Sequence, residues 1–308
     1  MIPTREQELA VVRSVTYASL FDYPLTLAQL QQSLIGLRAD PDAIASWWHH
    51  SEFLQATIAC EGGLFFPAGR SDLVRTRSRR EAVSRALLER DQQVLRLIAS
   101  MPFVRMVALS GSLAHLNAEG SADLDLFVIT APHRVWSVTV SVLLLSKLLG
   151  WRKHLCLNYV VSERAMAITP QDLFSANQII HLRPLTGHQV FERFVACNGF
   201  IREFYPNFEP DYPKSQAPGP KPLVERVLSL GPAQLAERAA RTWYGWYLNR
   251  RAATWRSRDQ VRLEDECLKL HTSSHRAETL ARFDAALVAA TATRRGRAGA
   301  PPALAARA

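Results

Sequence analysis

The chain has no Cys-x-x-Cys pair. Its four cysteines, Cys60, Cys156, Cys197 and Cys267, are scattered over 308 residues. That spacing excludes a disulfide framework and a sulfur-bound zinc site, and it predicts reduced, mostly buried thiols in a cytoplasmic protein. The first residues, Met1 to Glu8, lack the basic segment and apolar run of a secretory signal. No apolar run reaches the length of a membrane span. The longest, Val135 to Trp151, is interrupted by Ser137, Thr139, Ser141, Ser146 and Lys147, and reads as a buried helix. No membrane partner is expected, and there is no internal repeat. Acidic residues are in deficit: 28 Asp and Glu stand against 37 Lys and Arg, a net charge of +9. Residues 211–308 hold 17 basic against 9 acidic residues, so +8 of that excess is C-terminal. A field of this sign attracts nucleotide, nucleic acid or another acidic partner.

What is present centres on one stretch. Met106-Val107-Ala108-Leu109 reads as a short buried strand. It is followed by Ser110-Gly111-Ser112 and the first turns of a helix, Leu113 to Leu116. After ten intervening residues comes Asp123-Leu124-Asp125, which runs straight into Leu126-Phe127-Val128-Ile129. Side chains alternate along a strand, so Asp123 and Asp125 share a face and Leu124 turns away. Two adjacent carboxylates repel, and burial raises the cost. A divalent cation removes the conflict, and oxygen-only ligands suit Mg²⁺, which uses one or two carboxylates plus substrate phosphates. Gly111 lets a phosphate approach the backbone, and the free N–H groups at a helix start favour anions.

Gly111-Ser112, a ten-residue gap and then Asp123-Leu124-Asp125 on a strand resembles the nucleotidyltransferase superfamily typified by DNA polymerase beta. The match covers about twenty residues directly, and the strand–helix–strand pattern extends it to roughly residues 100–165. The resemblance implies an α+β fold with a polymerase-beta-like core, a short mixed sheet with helices. It implies that Gly111, Ser112 and Ser121 contact the phosphates of a nucleoside triphosphate. It implies that Asp123 and Asp125 hold one or two Mg²⁺ ions, with Mn²⁺ as an alternative. The family's third carboxylate lies on the next strand, which here reads Leu155-Cys156-Leu157-Asn158-Tyr159, and the residue aligned with it is Asn158. Asn can ligate through its carbonyl oxygen but cannot serve as a base. Glu163 and His154 are candidate substitutes for the base. The remaining readings are a weakened activity, or an acceptor that needs no base.

The rest of the chain falls into segments around this core. Residues 1–70 read as a winged helix-turn-helix-like domain: helices over 4–21, Leu27 to Leu34 and Pro41 to Glu52, then a hairpin from Gln55 to Pro67. Its third helix carries Asp42, Trp47, Trp48, His49, His50 and Glu52 with no Arg or Lys. It is poorly equipped for DNA, which needs phosphate neutralisation, so a protein-contact or lid role is expected. His49-His50 reads as a solvated helix end. Residues 71–100 read as one long linking helix with a basic start at Arg70, Arg75, Arg77, Arg79 and Arg80. Residues 101–210 form the core with a helical extension. Residues 211–222, with five prolines or glycines between Pro213 and Pro222, form a linker. Residues 223–293 form a helical region, and 294–308 a disordered tail.

In the C-terminal region, Trp243, Tyr244, Trp246, Tyr247 and Trp255 alternate with Arg238, Arg241, Arg250, Arg251 and Arg256. The expectation is an amphipathic helix packing its aromatics on the core, with RNA binding as the alternative. His271 and His275 read as a loop pair that would contact phosphate only if turned toward the site. The expected function is Mg²⁺-dependent transfer of a nucleoside monophosphate to a small-molecule or protein acceptor. The alternatives are a tRNA- or RNA-directed enzyme, or a non-catalytic nucleotide sensor or adaptor that lacks the third carboxylate.

Overall fold

The computed structural model describes residues 2–210, 222–230, 233–271 and 274–297, with only the backbone of Asn158, Pro222, Leu230 and residues 293–297. The described chain is α+β and divides into two compact units. One comprises residues up to Ser78 with Arg202–Glu209 and the segment from Arg276; the other comprises Arg79–Ile201 and Pro210–His275. No helix among the described residues is long and apolar enough to cross a membrane.

The first unit starts with α1 (Arg5–Ser19), β1 (Leu25–Thr26), α2 (Leu27–Gln32), α3 (Pro41–His50), α4 (Glu52–Thr57), β2 (Ile58–Glu61) and β3 (Leu64–Pro67). Local chemistry sets these boundaries. Thr4 and Thr26 each close a reciprocal capping box with the glutamine three residues on, Gln7 and Gln29. Pro41 opens α3, but the Asp40 carboxylate makes no capping bond there, so proline's fixed φ supplies the start signal. Ser51 caps α4 through the Leu54 N–H and donates its own hydroxyl proton to the buried Glu8 carboxylate at 2.6 Å. The strands form an antiparallel sheet in the order β1-β3-β2. The segment Arg202–Glu209 is tied on by Asn207, which accepts from the Ala39 N–H and donates to the Gln31 carbonyl.

The stretch expected as one helix over 71–100 is two, α5 (Asp72–Arg90) and α6 (Gln92–Ser100). The break falls at Asp91, whose ψ of 4° leaves the helical range and whose carboxylate turns back to Arg90. There follow β4 (Val104–Leu109), α7 (Gly111–Ala114), β5 (Leu124–Thr130), α8 (Val135–Leu148), β6 (Leu155–Ser162), α9 (Leu173–Ile180), β7 (Arg183–Thr186), α10 (His188–Cys197) and α11 (Ile201–Phe204). Beyond them lie α12 (Pro222–Leu230), α13 (Ala233–Arg250), β8 (Val261–Leu263), β9 (Cys267–Leu270) and α14 (Arg276–Arg297), the last in the first unit.

The second unit is built on a six-stranded mixed sheet in the order β7-β4-β5-β6-β9-β8. Only β5 and β6 run parallel, which is why α8 must cross between them. Alternation along β5 sends Leu124, Leu126 and Val128 into a core shared with Val94 and Ile98 of α6, Val135 and Val142 of α8, and Leu248 of α13. Asp125 and Phe127 take the opposite face.

The C-terminal region expected to be helical carries β8 and β9; β9 pairs with the open edge of β6, and β8 pairs with β9. Cys267-Leu268-Lys269-Leu270 is too short to announce itself; its partner lies about a hundred residues earlier, and that pairing decides its state. α14 extends through residues 294–297 of the expected tail; residues 298–308 and all of the expected linker but Pro222 lie outside the described residues.

Gly187, where the chain leaves β7, has φ +73°, and a Cβ placed on it would meet the Arg105 carbonyl oxygen of β4. Gly187→Ala is therefore expected to destabilise the fold by about 3 kcal/mol, read as a lower urea midpoint with an unchanged slope.

Candidate active site

The turn after β4 is fastened to β5 at the position of the acidic pair. The Ser110 N–H donates to the Asp125 carbonyl at 2.9 Å. Gly111 follows in the left-handed region at φ +62°, and a Cβ there would lie 2.5 Å from Asp125 Oδ2. Any side chain at 111 would displace the Asp125 carboxylate, so the glycine is required by close approach as well as by φ. The loop from 115 to 123 is pinned from α5. Arg80 reaches Glu119 at 2.8 Å, and the Ser84 hydroxyl accepts from the Ala118 N–H. Arg80, one of the basic residues at the start of the long helix, thus has a structural partner.

Asp123 is exposed just before β5 and Asp125 is half-buried inside it. Burial first, and then the neighbouring Asp123 charge, push the Asp125 carboxyl up to about 6. That is the behaviour expected of paired carboxylates with no cation between them. The parallel register sets Cys156 of β6 beside Asp125, and the Cys156 thiol lies 3.7 Å from Asp123 Oδ2. Burial and the two carboxylates hold this thiol protonated, up to about 11. Asn158 lies two residues further along, at a bulge: Leu126 pairs with Leu157, and Phe127 pairs with Tyr159, skipping 158. The Asn158 side chain lies outside the described residues.

Of the remaining expected site residues, Ser112 is the second residue of α7, next to Gly111, and Ser121 is exposed in the loop before Asp123. His154 stays adjacent to the pair, its carbonyl accepting from the Leu124 N–H. Glu163 does not: it sits past the far end of β6, opposite Thr130, and is bound to Arg193 and Arg105. Among the described residues no group of three or more His, Cys, Asp or Glu is arranged to hold a metal ion.

Three features went unread in the sequence. Cys156 is the first. Its signal was available, because Leu124-Asp125-Leu126 and Leu155-Cys156-Leu157 repeat one apolar–polar–apolar pattern, and superposing them pairs Asp125 with Cys156. The second is a histidine pair. The rings of His115, at the end of α7, and His181, at the end of α9, lie 4.0 Å apart. Burial drives both toward the neutral form, His181 down to about 4. The third is a cleft of about 600 Å³, counting its open mouth, on the aspartate-bearing face of the sheet. Its lining includes Ser110, Phe127 and Tyr159, Phe174 and Ile179 of α9, and Lys269 and His271.

On α13 the expectation of packed aromatics is only partly met. Tyr244 is buried against Trp136, but Trp243 and Trp246 are 56% and 55% exposed, with the Arg250 guanidinium over the Trp246 ring.

Set against the profiles of known families, curated proteins and solved structures, the chain matches none.

Proposed function

We propose that the second unit is a polymerase-beta-like nucleotidyltransferase core. It would transfer a nucleoside monophosphate from a nucleoside triphosphate to a small-molecule or protein acceptor, with release of pyrophosphate. One observation carries the reading: a left-handed glycine packed against the second of two paired aspartates, directly after Ser110, which lines a cleft on the same sheet.

The donor set fits Mg²⁺. Both groups are hard oxygen donors, and the raised Asp125 carboxyl marks a site short of positive charge. Asp123 and Asp125 would hold the ion, and substrate phosphate oxygens and water would complete its shell. When bound there, Mg²⁺ supplies neutralisation of the phosphates and polarisation of the reacting phosphoryl group. The chain's own part is positional. Gly111 lets the backbone of the Gly-Ser turn lie close to Asp125, and Ser112, the next residue, would be the phosphate contact. A protonated Cys156 beside the pair is neither a carboxylate nor a base. The reading therefore includes an acceptor that is ionised or strongly nucleophilic without help from the protein.

Cys156→Asp would add a third carboxylate at the register position beside Asp125. It is expected to tighten Mg²⁺ binding by about tenfold, because affinity for a hard cation rises with ligand charge; titration of Mg²⁺ calorimetrically into both forms measures this. Unchanged affinity would place the third position elsewhere, Asn158 being the other candidate.

The first unit reads as winged-helix-like, with helices α1 to α4 leading into the β2–β3 hairpin of a three-stranded antiparallel sheet, and α3 without Arg or Lys suits a protein-contact role better than DNA. A second reading, RNA as the acceptor, draws on Trp243 and Trp246 standing exposed beside Arg250. Salt-sensitive retention of RNA that Trp246→Ala abolishes would favour it.

A further inference from the structure

The outer side of α13 is apolar and exposed. Its inner side is fixed against α8: Glu237 accepts from the Trp136 and Ser137 N–H groups at 2.8 and 2.7 Å, Tyr244 meets the Trp136 ring, and Leu248 enters the core. Residues four apart share one side of a helix. Leu235, Ala239 and Trp243 therefore form a stripe, and Trp246, three residues on from Trp243, widens it. The stripe lies away from Tyr244 and Leu248, and all four of its members are exposed, Leu235 by 64%. A helix that is apolar on both sides is ordinarily covered on both. The neighbouring α12, in contact with α13, is turned the same way. Its Glu225 carboxylate points inward, bound to the Arg105 guanidinium and the Phe103 N–H, while Leu223, Val224, Val227 and Leu228 are exposed. Among the described residues nothing covers either set. Together these side chains expose on the order of 800 Å², about what each partner buries in a standard interface.

The stripe is graded along its length, and the grading points to its occupant. Leu235 and Ala239 stand in the first half of α13, Trp243 and Trp246 in the second. A second α13 running antiparallel, with the two-fold axis between Thr242 and Trp243, sets Ala239 against Trp246 of the partner subunit, and the contact occurs twice. Small then meets large on both sides of the axis, as close packing between helices requires. A parallel copy would set tryptophan on tryptophan and leave alanine facing alanine. The Arg250 guanidinium lies over the Trp246 ring of its own chain, which keeps its charge at the rim. We propose that the chain forms a two-fold symmetric dimer through α12 and α13, with the two copies of α13 antiparallel. Residues 211–308 carry a net +8 on each copy, so screening by salt is expected to tighten this dimer, the reverse of its effect on binding to an acidic partner. The dimer does not depend on the nucleotidyl-transfer reading.

The test is sedimentation velocity of the full chain over a range of concentrations, without nucleotide. The wild type is expected to reach twice the 34.5 kDa of one chain, with a Kd of about 1 µM or tighter, and to associate at least as tightly at high salt as at low. Trp246→Ala, which leaves a hole, and Ala239→Trp, which meets Trp246 of the partner subunit, are each expected to weaken the dimer by about tenfold or more. Both positions are exposed in the single chain, so the circular dichroism of the dilute variants is expected to match wild type. The double variant exchanges large for small across the axis and is expected to recover the wild-type Kd to within about threefold, because the two sites are coupled. A wild type that stays monomeric at about 100 µM, far above the expected Kd, would overturn the proposal. So would a dimer that salt dissociates, a dimer that neither single substitution weakens, or a double variant no tighter than the two singles. A monomer that Trp246→Ala deprives only of RNA retention would give the stripe to RNA instead.

Discussion

Asp125→Asn is expected to abolish Mg²⁺-dependent nucleotide binding while making the metal-free protein more stable. Both effects have one origin. The Asp125 carboxyl is held up to about 6, by burial first and by Asp123 second, so at pH 8 the fold carries a charge that its surroundings disfavour. Asparagine removes the charge with little change of shape. The gain is expected to be about 2 kcal/mol at pH 8, several degrees in Tm for a chain of this size. The pH dependence fixes the sign. Between about pH 4 and 6 the folded protein keeps the Asp125 proton and the unfolded chain releases it. Wild-type stability contributed by this group therefore falls as pH rises through that window and stays lower above it. The variant lacks that slope. His115 and His181 pull the other way, since the unfolded chain takes up protons below about 6.5 that the folded pair refuses. They are common to both proteins and cancel in the difference. Thermal unfolding of the two metal-free proteins at pH 4, 6 and 8 measures it. A variant less stable than wild type at pH 8 would mean that Asp125 is a structural carboxylate and not one strained toward a ligand.

Gly111→Ala is the second large effect, and it separates geometry from charge. The added methyl would stand 2.5 Å from Asp125 Oδ2, at a φ of +62° that alanine adopts only under strain. The carboxylate must move by about an ångström, and a shift of that size in a reacting or coordinating group costs on the order of a hundredfold. Affinity for Mg²⁺ with nucleoside triphosphate is expected to fall by about that factor, and stability by about 1–3 kcal/mol. Gly120→Ala is the matched control. It lies in the same β4–β5 connection, outside the left-handed region and with nothing within 4 Å of the added Cβ, and is expected to change stability by less than about 0.5 kcal/mol. Equal behaviour of the two alanine variants would show that the approach of Gly111 to Asp125 has no consequence for binding.

How legible the chain was depended on the range over which each decision is made. Thr26 with Gln29, Asp172 before Leu173, and Asp123-Leu124-Asp125 entering an apolar run are decided within a few residues, and the structure has a capping box, a capped helix and a strand there. Lys269 is the opposite case. Nothing local marks Cys267–Leu270 as a strand; its state comes from pairing with Tyr159 to Val161, and with it comes a charge in the cleft lining. The position next to Asp125 falls between these extremes. The resemblance aligns Asn158 with the third carboxylate, whereas the register brings Cys156 alongside Asp125 and leaves 158 in a bulge, a one-residue irregularity that puts Tyr159 opposite Phe127. Trp243 and Trp246 were read as core because large aromatics usually are. On α13 the buried side is taken by Tyr244, Gly245 and Leu248, and the tryptophans fall outside it.

The most direct test of the central claim is calorimetric titration of each of the four ribonucleoside triphosphates, with and without Mg²⁺, into wild type and Asp125→Asn. The expected result is binding of at least one nucleotide that requires Mg²⁺ and disappears in the variant. Binding that is indifferent to both the ion and the substitution, or no binding of any of the four, would contradict a metal–triphosphate site at Gly111, Asp123 and Asp125.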